Sequence, residues 1–425
     1  MKPILSLNKR SRFPRSPQFL PHKYMYAVRS LFCVFLLLTA IGMAQAQESN
    51  MSYPEILDQT DAAFQKANWH EVIRICEKAL SEGSDSFAIR QYLGIAYYRK
   101  KQFTQALLHF RKAMTYFGSE SITQEYLYFT LLALGRDLEA NDVAVEMEAE
   151  DQKRLGLKLN QVLKFVYAEV GTKRSDSETV KPMTLATFGV GHLVRNSTQL
   201  YHAGTFIVQE NNGLQYKQSQ YYVQGRRLVA HNHTAEAALH LLKMDGQAST
   251  YDVTQSGVSM FAGWKWTPKR LEVSPQFSWT RLGTHLKSNG ITLKDSSSIT
   301  TQFGLGLGYW PKVGGGRIWT GLQGDLAWHN NQSFFLTKVW LWTQILPKLN
   351  LTASYYTGQA PISVEDKASL FNNTPDRTTN KWSLLAEIPL SKKVSLYGLY
   401  QSEQKNTILL PYKYQAIITG IKIKP

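Results

Sequence analysis

From about residue 157 to the C-terminus, apolar and polar side chains alternate at every second position. In residues 299–309, the odd-numbered positions include Ile299 and Phe303, and the even-numbered positions include Thr300 and Gln302. The same alternation recurs in residues 271–280, 349–355 and 381–388. A period of two is that of a β-strand whose two faces meet different surroundings. This part of the chain is therefore predicted to be a set of amphipathic strands.

Two architectures fit such strands, a soluble sandwich and a transmembrane β-barrel, and three features favour the barrel. Small or polar residues oppose the apolar ones, as a barrel with lipid outside and a polar lumen requires. Nine of the ten tryptophans lie in residues 264–382, several near predicted strand ends, as in the aromatic girdles of membrane interfaces. Long and short connections alternate along the chain, as the two rims of an outer-membrane barrel require.

We predict about fourteen antiparallel strands, an even number that places both barrel ends on the rim with short turns. The predicted strands lie near residues 159–170, 183–194, 199–209, 214–224, 234–244, 257–266, 271–282, 299–310, 317–328, 333–345, 348–358, 380–389, 393–403 and 412–423. The predicted long connections are residues 171–182, 245–256, 283–298, 359–379 and 404–411. Three connections depart from the alternation, because 225–233 is long and 210–213 and 329–332 are short where the opposite is expected.

The N-terminus has the pattern of a secretory signal peptide. An apolar run covers residues 31–44, Lys23 and Arg29 precede it, and a small-residue cleavage site ends at Ala46. We therefore predict a signal peptide over residues 1–46. An uncleaved membrane anchor is the alternative, although the run is shorter than the ~20 residues that a helix needs to cross a bilayer.

The formal charge of +16 would by itself suggest a nucleic-acid-binding protein, but this charge is unevenly distributed. Residues 1–46 contribute +7, residues 47–155 contribute −5 and residues 156–425 contribute +14. We interpret these ranges as the signal peptide, a periplasmic domain and the barrel. The secretion signal and the membrane pattern exclude nucleic acid from the expected partners.

The positive barrel domain predicts a basic lumen or rim that attracts anionic solutes or acidic glycans, and lipopolysaccharide phosphates outside. The candidate inward-facing cations are Lys265, Arg317, Lys381 and Lys413. The alternative is that basic side chains are scattered at turns on both rims. Arg226 and Arg227 are interpreted as solvated.

Residues 47–155 contain a repeat with a period of 34 residues. The copy in the middle carries Leu93-Gly94, Tyr97, Phe103, Ala106, Phe110 and Ala113. Small residues at this spacing predict closely packed helices, with aromatic side chains filling the gaps. The segment resembles tetratricopeptide (TPR) repeats, although Ser84 and Gly118 stand where the family has repeat-ending prolines. We expect a short α-solenoid.

In TPR families, the first helix of each repeat lines a concave groove for a protein or peptide partner. By position, the resemblance implies Asp61, Gln65, Gln91, Tyr98, Arg99, Glu125 and Phe129 as groove residues. A solvated helix face is the alternative for each of them. The expected partner of this segment is a periplasmic protein or peptide.

No motif in the chain specifies a catalytic or metal site. The glycines of residues 304–308 lie in mid-strand, whereas a phosphate-binding loop must lead into a helix. His231 and His233, with Glu236 nearby, would need a further ligand and fixed geometry to hold a metal ion, so a polar connection is the simpler interpretation. We predict no catalytic residue, no metal ion and no cofactor.

The order of signal peptide, TPR array and outer-membrane barrel resembles exopolysaccharide-export porins and YaiO-type outer-membrane proteins. The resemblance implies a bacterial outer-membrane protein with a periplasmic adaptor. It implies a non-enzymatic role in export or assembly of envelope material such as polysaccharide, with outer-membrane lipids and an anionic polysaccharide as partners. The alternatives are a porin-like channel for small anionic solutes and a barrel-embedded lipid-modifying enzyme.

Overall fold

A computed structural model defines the fold. It describes residues 51–117, 120–157, 159, 162–178, 180–195, 197–211, 213–311, 318–346, 348–358, 363–367, 369–372, 377–406 and 411–425. The predicted signal peptide lies outside these residues. The described residues from 56 onwards belong to one compact unit.

The described part of the chain begins with helices and continues with strands. Seven helices are α1 Tyr53–Gln65, α2 Trp69–Ser81, α3 Phe87–Arg99, α4 Phe103–Met114, α5 Ser121–Ala133, α6 Asp137–Glu146 and α7 Ala149–Arg154. Asn68, Ser86 and Glu120 cap α2, α3 and α5 by accepting hydrogen bonds from backbone N–H groups of the first turn. None of the helices in the described ranges is long and apolar enough to cross a membrane.

The small residues of the 34-residue repeat lie where helices approach one another. Ala106 and Ala113 of α4 are fully buried, as is Phe110 between them. A Cβ atom at Gly94 of α3 would overlap the Phe110 ring, so only glycine allows this approach. The predicted close packing of α3 and α4 is confirmed, while their assignment to the TPR family stays a prediction.

Fourteen antiparallel strands form a closed barrel, as predicted. The barrel strands are β1 Leu163–Ser175, β2 Met183–Arg195, β3 Thr198–Asn211, β4 Leu214–Ala230, β5 His233–Gln247, β6 Asp252–Trp266, β7 Leu271–Ser288, β8 Ile291–Tyr309, β9 Ile318–His329, β10 Gln332–Leu346, β11 Leu349–Gly358, β14 Arg377–Pro389, β15 Val394–Asn406 and β16 Pro411–Ile423. Each of these strands pairs with the barrel strands before and after it, so β11 pairs with β14, and β1 closes the barrel against β16.

Several connections are shorter than the sequence predicts, because strand pairing continues beyond the apolar segments. The predicted loop 283–298 is the paired ends of β7 and β8, and 245–256 is largely β5 and β6. The anomalous connection 225–233 is also strand, apart from a two-residue turn between β4 and β5. A membrane crossing needs about 9–11 residues, whereas β8 has 19. The extensions are mostly polar, and the period-two signal fades in them.

The two faces of the barrel have opposite polarity. In β8, Thr300 and Gln302 are 1% and 5% exposed, whereas Phe303 and Leu305 are 55% and 48% exposed. Buried polar side chains thus point into the lumen, and large apolar ones cover the outer wall. This reverses the arrangement of a water-soluble protein and matches a barrel surrounded by lipid.

The helices meet the barrel at the turn between β4 and β5. Arg136 donates a hydrogen bond to Oδ1 of Asn232 at 2.5 Å, and Arg111 donates to the same oxygen. Glu139, which is buried, accepts from both arginines, with 2.6 Å to Nε of Arg136. Burial and the neighbouring Arg136 charge lower the pKa of Arg111 to about 10, so its guanidinium stays charged at neutral pH. This contact is a clamp of charge-assisted hydrogen bonds.

Candidate functional site

A hairpin inserted into the barrel lumen is the feature that sequence analysis did not predict. Residues 359–379 were expected to be a rim loop between two barrel strands. Instead, Ser363–Glu365 (β12) and Leu370–Asn372 (β13) pair with each other as a separate two-stranded sheet. At the hairpin turn, Asp366 and Lys367 have φ angles of 48° and 62°, in the left-handed region that such residues rarely adopt. Surrounding contacts must therefore hold this turn.

Three consecutive hairpin residues bind the lumen wall. On one side, Glu365 pairs with Lys381 of β14. Asp366 pairs with Lys338 of β10 and accepts a hydrogen bond from the Tyr356 hydroxyl of β11 at 3.0 Å. These contacts attach the hairpin to the wall from which it arises.

The third residue reaches the opposite wall of the lumen. Nζ of Lys367 lies 2.5 and 2.7 Å from the two carboxylate oxygens of Glu236 in β5. The Lys367 carbonyl accepts a hydrogen bond from the Tyr222 hydroxyl of β4 at 3.0 Å. Because β4 and β5 lie across the barrel from β10, β11 and β14, the hairpin bridges the lumen.

Several of the lumen charges around the hairpin are paired with one another. Glu236 is 7% exposed and also lies 3.4 Å from Nε of Arg226, so it faces two cations. Glu403, likewise buried, pairs with Lys173 of β1. Burying a charge without a partner is very costly, which explains why these groups occur in pairs. The network makes the hairpin part of a polar barrel interior.

Clefts border the hairpin on both sides, and Asp325 of β9 contributes to each. One is lined by Asp325, Tyr356, Glu365, Asp366 and Asn380, and the other by Phe261, Gln302, Asp325, Asp366 and Lys367. The Asp325 carboxylate accepts hydrogen bonds from Gln276 at 2.8 Å and Gln323 at 2.7 Å. Asp366 of the hairpin lines both clefts.

Aromatic side chains line the lumen nearer the rim that carries the chain ends. Trp319 of β9 and Trp340 of β10 have ring centroids 5.2 Å apart. A Cβ atom at Gly321 would overlap the Trp340 ring, so the indole lies against the bare backbone of the neighbouring strand. Tyr167 covers Gly189 in the same way. The lumen therefore has a charged layer at the hairpin and an aromatic layer beneath it.

The structure agrees with the predicted lumen position for only some of the four candidate residues. Lys265 faces inward and pairs with Glu272 at 2.8 Å, and Lys381 is the 5% exposed partner of Glu365. Arg317 lies outside the described residues. Lys413 is not in the lumen. It shares the exposed face of β16, because its neighbours Tyr412 and Tyr414 take the inner face and successive strand residues point in opposite directions.

The predicted groove residues are engaged with other helical side chains. Asp61 accepts hydrogen bonds from Tyr92 at 2.8 Å and from Gln65 at 3.3 Å. Gln91 donates to Glu120 at 2.9 Å and to Thr123 at 3.0 Å.

The remaining groove candidates make aromatic and charged contacts within the helical segment. Arg99 donates to the Tyr126 hydroxyl at 2.9 Å, and Tyr98 packs edge-on against the same ring. Glu125 pairs with Arg154 at 2.8 Å, and the Phe129 ring contacts Tyr128. The structure thus gives each of these side chains a partner within the helical segment, and their role in partner binding remains a prediction.

The histidine cluster does not form a metal site. His233 lies on the outer face beside Trp264, 3.1 Å from its indole nitrogen, whereas Glu236 points into the lumen. Within the described ranges, no group of three His, Cys, Asp or Glu side chains is arranged to hold a metal ion. Arg226, interpreted as solvated, in fact faces Glu236. Arg226 lies among the polar residues that alternate along β4, and this pattern could have predicted its position in the lumen.

Comparison with known proteins finds distant structural similarity without sequence similarity. No protein-family model matches the chain, and no curated protein matches it in sequence. Among solved structures, it is similar to the CymD monoaromatic hydrocarbon channel (5% identity, TM-score 0.44, 62% of this chain and 88% of that chain). It is also similar to the Pseudomonas putida toluene transporter TodX (9%, 0.41, 62% and 89%) and the Ralstonia pickettii toluene transporter TbuX (6%, 0.42, 62% and 90%).

Proposed function

We propose that this protein is a non-enzymatic, porin-like channel of the bacterial outer membrane that passes small polar solutes, anions among them. The support is the apolar outer wall, the polar lumen and the hairpin that crosses it. The +14 charge of residues 156–425 favours anions at the rims. Lumen cations such as Lys381 are paired with carboxylates, so we expect the preference for anions to be modest.

The observation that carries this proposal is the lumen hairpin fixed by Glu365, Asp366 and Lys367. A segment that narrows a polar barrel sets the size of what passes, because a solute must fit the clefts beside it. The same hairpin gives no support to polysaccharide export, since a long chain would have to displace it. No contact in the described residues favours the lipid-modifying enzyme over the channel.

Planar-bilayer recording of the purified full-length protein tests the channel. We expect small conductance steps, and a larger unitary conductance when a Gly-Ser linker of equal length replaces residues 363–372. The control places the same kind of linker at the exposed turn 289–290, which lies beyond the lumen and should leave conductance unchanged. Absence of conductance in both the wild-type protein and the hairpin variant would refute the channel.

We also propose that the helical segment is a TPR-type adaptor on the periplasmic side. Its support is the 34-residue repeat together with the clamp that fixes the helices to the β4–β5 turn, on the rim that carries the chain ends. Affinity capture from periplasmic extract with the full-length protein tests it. Recovery of the same proteins by wild-type and Phe129→Ala forms would count against the groove.

A further inference from the structure

Three exposed basic side chains form a patch on the outer wall, towards the rim opposite the chain ends. They are Lys217 of β4, Lys243 of β5 and Arg281 of β7. The residues that follow them in sequence, Gln218, Met244 and Leu282, are buried on the inner face. Because successive residues of a strand point in opposite directions, the three cations point away from the lumen.

The strand register brings Lys243 and Arg281 to the same height on the wall. Arg281 is in register, through β6, with Leu241 of β5. Rows of paired residues climb from β5 to β7, because His233, the first residue of β5, is in register with Val273, the third residue of β7. Arg281 therefore lies about two residues above Leu241, at the height of Lys243, as tilted strands require.

The three cations surround a shallow area of small side chains. Lys217 pairs with Asp245, two residues beyond Lys243 in β5. From the spacings of a β-sheet, the Cα atoms of Lys217 and Lys243 are about 8 Å apart, and those of Lys243 and Arg281 about 12 Å. The residues in register with Lys243 on β4, β6 and β7 are Ser219, Ser256 and Gly283. The patch thus has an open floor with two hydroxyl groups.

The positive charge of this patch is largely uncompensated. Within the described ranges, neither Lys217 nor Arg281 has a carboxylate at ion-pair distance. Lys243 lies 3.3 Å from Asp245, but the two side chains are 67% and 60% exposed, so their attraction is weak. The patch therefore attracts anions.

The patch begins where the lipid-facing band ends. Leu241 and Trp279 are the outward residues next to Lys243 and Arg281 on the side of the band, and Tyr221 is the outward aromatic residue nearest Lys217 in β4. Tryptophan and tyrosine are enriched at the interface between lipid and water. The three cations therefore lie at the depth of lipid headgroups.

We propose that Lys217, Lys243 and Arg281 bind the phosphates of a phosphorylated glycolipid in the outer leaflet, whose acyl chains lie along the apolar wall beneath them. The hydroxyls of Ser219 and Ser256 donate further hydrogen bonds to the phosphate oxygens. A lipid is favoured over free phosphate because the cations adjoin the apolar wall, so one molecule can use both surfaces. The site requires a barrel in the outer membrane and does not depend on conduction.

Native mass spectrometry of the purified full-length protein in detergent micelles tests the site with lipid A as the probe. We expect bisphosphorylated lipid A to bind more tightly than its dephosphorylated form. Each cation near an anionic lipid contributes about a fivefold gain in affinity, so Arg281→Gln should bind about fivefold more weakly, and Lys243→Gln combined with Arg281→Gln about thirtyfold more weakly.

Arg227→Gln is the matched control. Arg227 is an exposed, outward-facing cation of β4 near the other rim, and its removal should leave lipid A binding unchanged. Arg281→Lys keeps the charge and should retain most of the affinity. Gel mobility before and after heating, with circular dichroism, verifies that every variant is folded.

Three results would overturn the proposal. The first is equal affinity for the phosphorylated and dephosphorylated lipids, and the second is an equal loss in Arg281→Gln and Arg227→Gln. The third is binding of inorganic phosphate at the patch without preference for lipid A, which would identify a site for free anions instead. Bilayer conductance is a separate measurement, so the channel and the lipid site can fail independently.

Discussion

His109 in α4 shows how a single buried side chain depends on its neighbours. Its ring stacks on Tyr97 at 5.4 Å, and its Nδ1 lies 3.3 Å from a guanidinium nitrogen of Arg90. Arg90 is itself paired with Asp85 at 2.7 Å. Burial and the Arg90 charge lower the pKa of His109 to about 4, so the ring is neutral and can accept a hydrogen bond from Arg90.

We predict that the helical segment loses stability in mild acid through His109. The folded pKa of about 4 lies below the ordinary value of 6.5, so the unfolded chain takes up the proton first. The His109 contribution is complete above about pH 6.5 and is lost as the pH falls to about 4, by at most about 3 kcal/mol. Denaturant unfolding followed by helical circular dichroism measures this dependence.

His109→Gln is the matched variant, because glutamine can accept a hydrogen bond but does not titrate. It should flatten the slope of stability between pH 4 and 6.5. A slope equal to that of the wild-type protein would show that other groups cause the acid sensitivity.

At the scale of elements, the clamp between the helices and the β4–β5 turn depends on one asparagine. Asn232 has a φ angle of 67° and accepts hydrogen bonds from Arg111 and Arg136 through its side chain. Asparagine tolerates the left-handed conformation better than most residues, so the turn and the clamp require the same residue type. The docking of the helices on the barrel thus depends on a two-residue turn.

We predict that Asn232→Gly weakens docking without disturbing the turn, because glycine also adopts the left-handed conformation. Hydrogen bonds to charged donors contribute about 1.5–3 kcal/mol each, so amide exchange in α6 should accelerate at least tenfold. Asn331→Gly is the control, since Asn331 has a φ angle of 64° in the β9–β10 turn on the opposite rim. Equal exchange in α6 for both variants would contradict the clamp.

At the scale of the whole molecule, the barrel strands have two different faces, an apolar one outside and a polar one towards the lumen. The outer wall carries exposed apolar side chains, whereas the lumen contains the charged network that holds the hairpin. Strand ends beyond the apolar band are polar and extend above it, as in β7 and β8. Whether a residue lies inside or beyond the apolar band therefore determines how much stability a charged substitution removes.

We predict that Leu305→Arg destabilises the barrel by about 2–4 kcal/mol, because it places a charge in the middle of the lipid-facing band. Leu293→Arg lies in the β-bulge near the other end of β8, where the strand extends beyond the band, and should be nearly neutral. Both leucines are exposed, at 48% and 60%, so exposure alone does not distinguish them. Urea unfolding in lipid vesicles provides the comparison, and equal losses would argue against a surrounding bilayer.

The sequence by itself determined the number of barrel strands, the lipid-facing side of the four strands that alternate most clearly, and the helical packing around Gly94. These features follow from local periodicity, since every second or every third to fourth residue meets the same environment. Sequence patterns misplaced the strand ends where both faces are polar. They also wrongly placed Lys413 in the lumen.

Only the tertiary structure decided the interior of the barrel. Lys367 and Glu236 are 131 residues apart in the chain, and Arg111 and Asn232 are 121 apart. Such pairs form because buried charges require partners, but no local pattern states which carboxylate a given lysine will meet. For that reason the hairpin, its anchors and the clamp to the helices became visible only when the strands closed into a barrel.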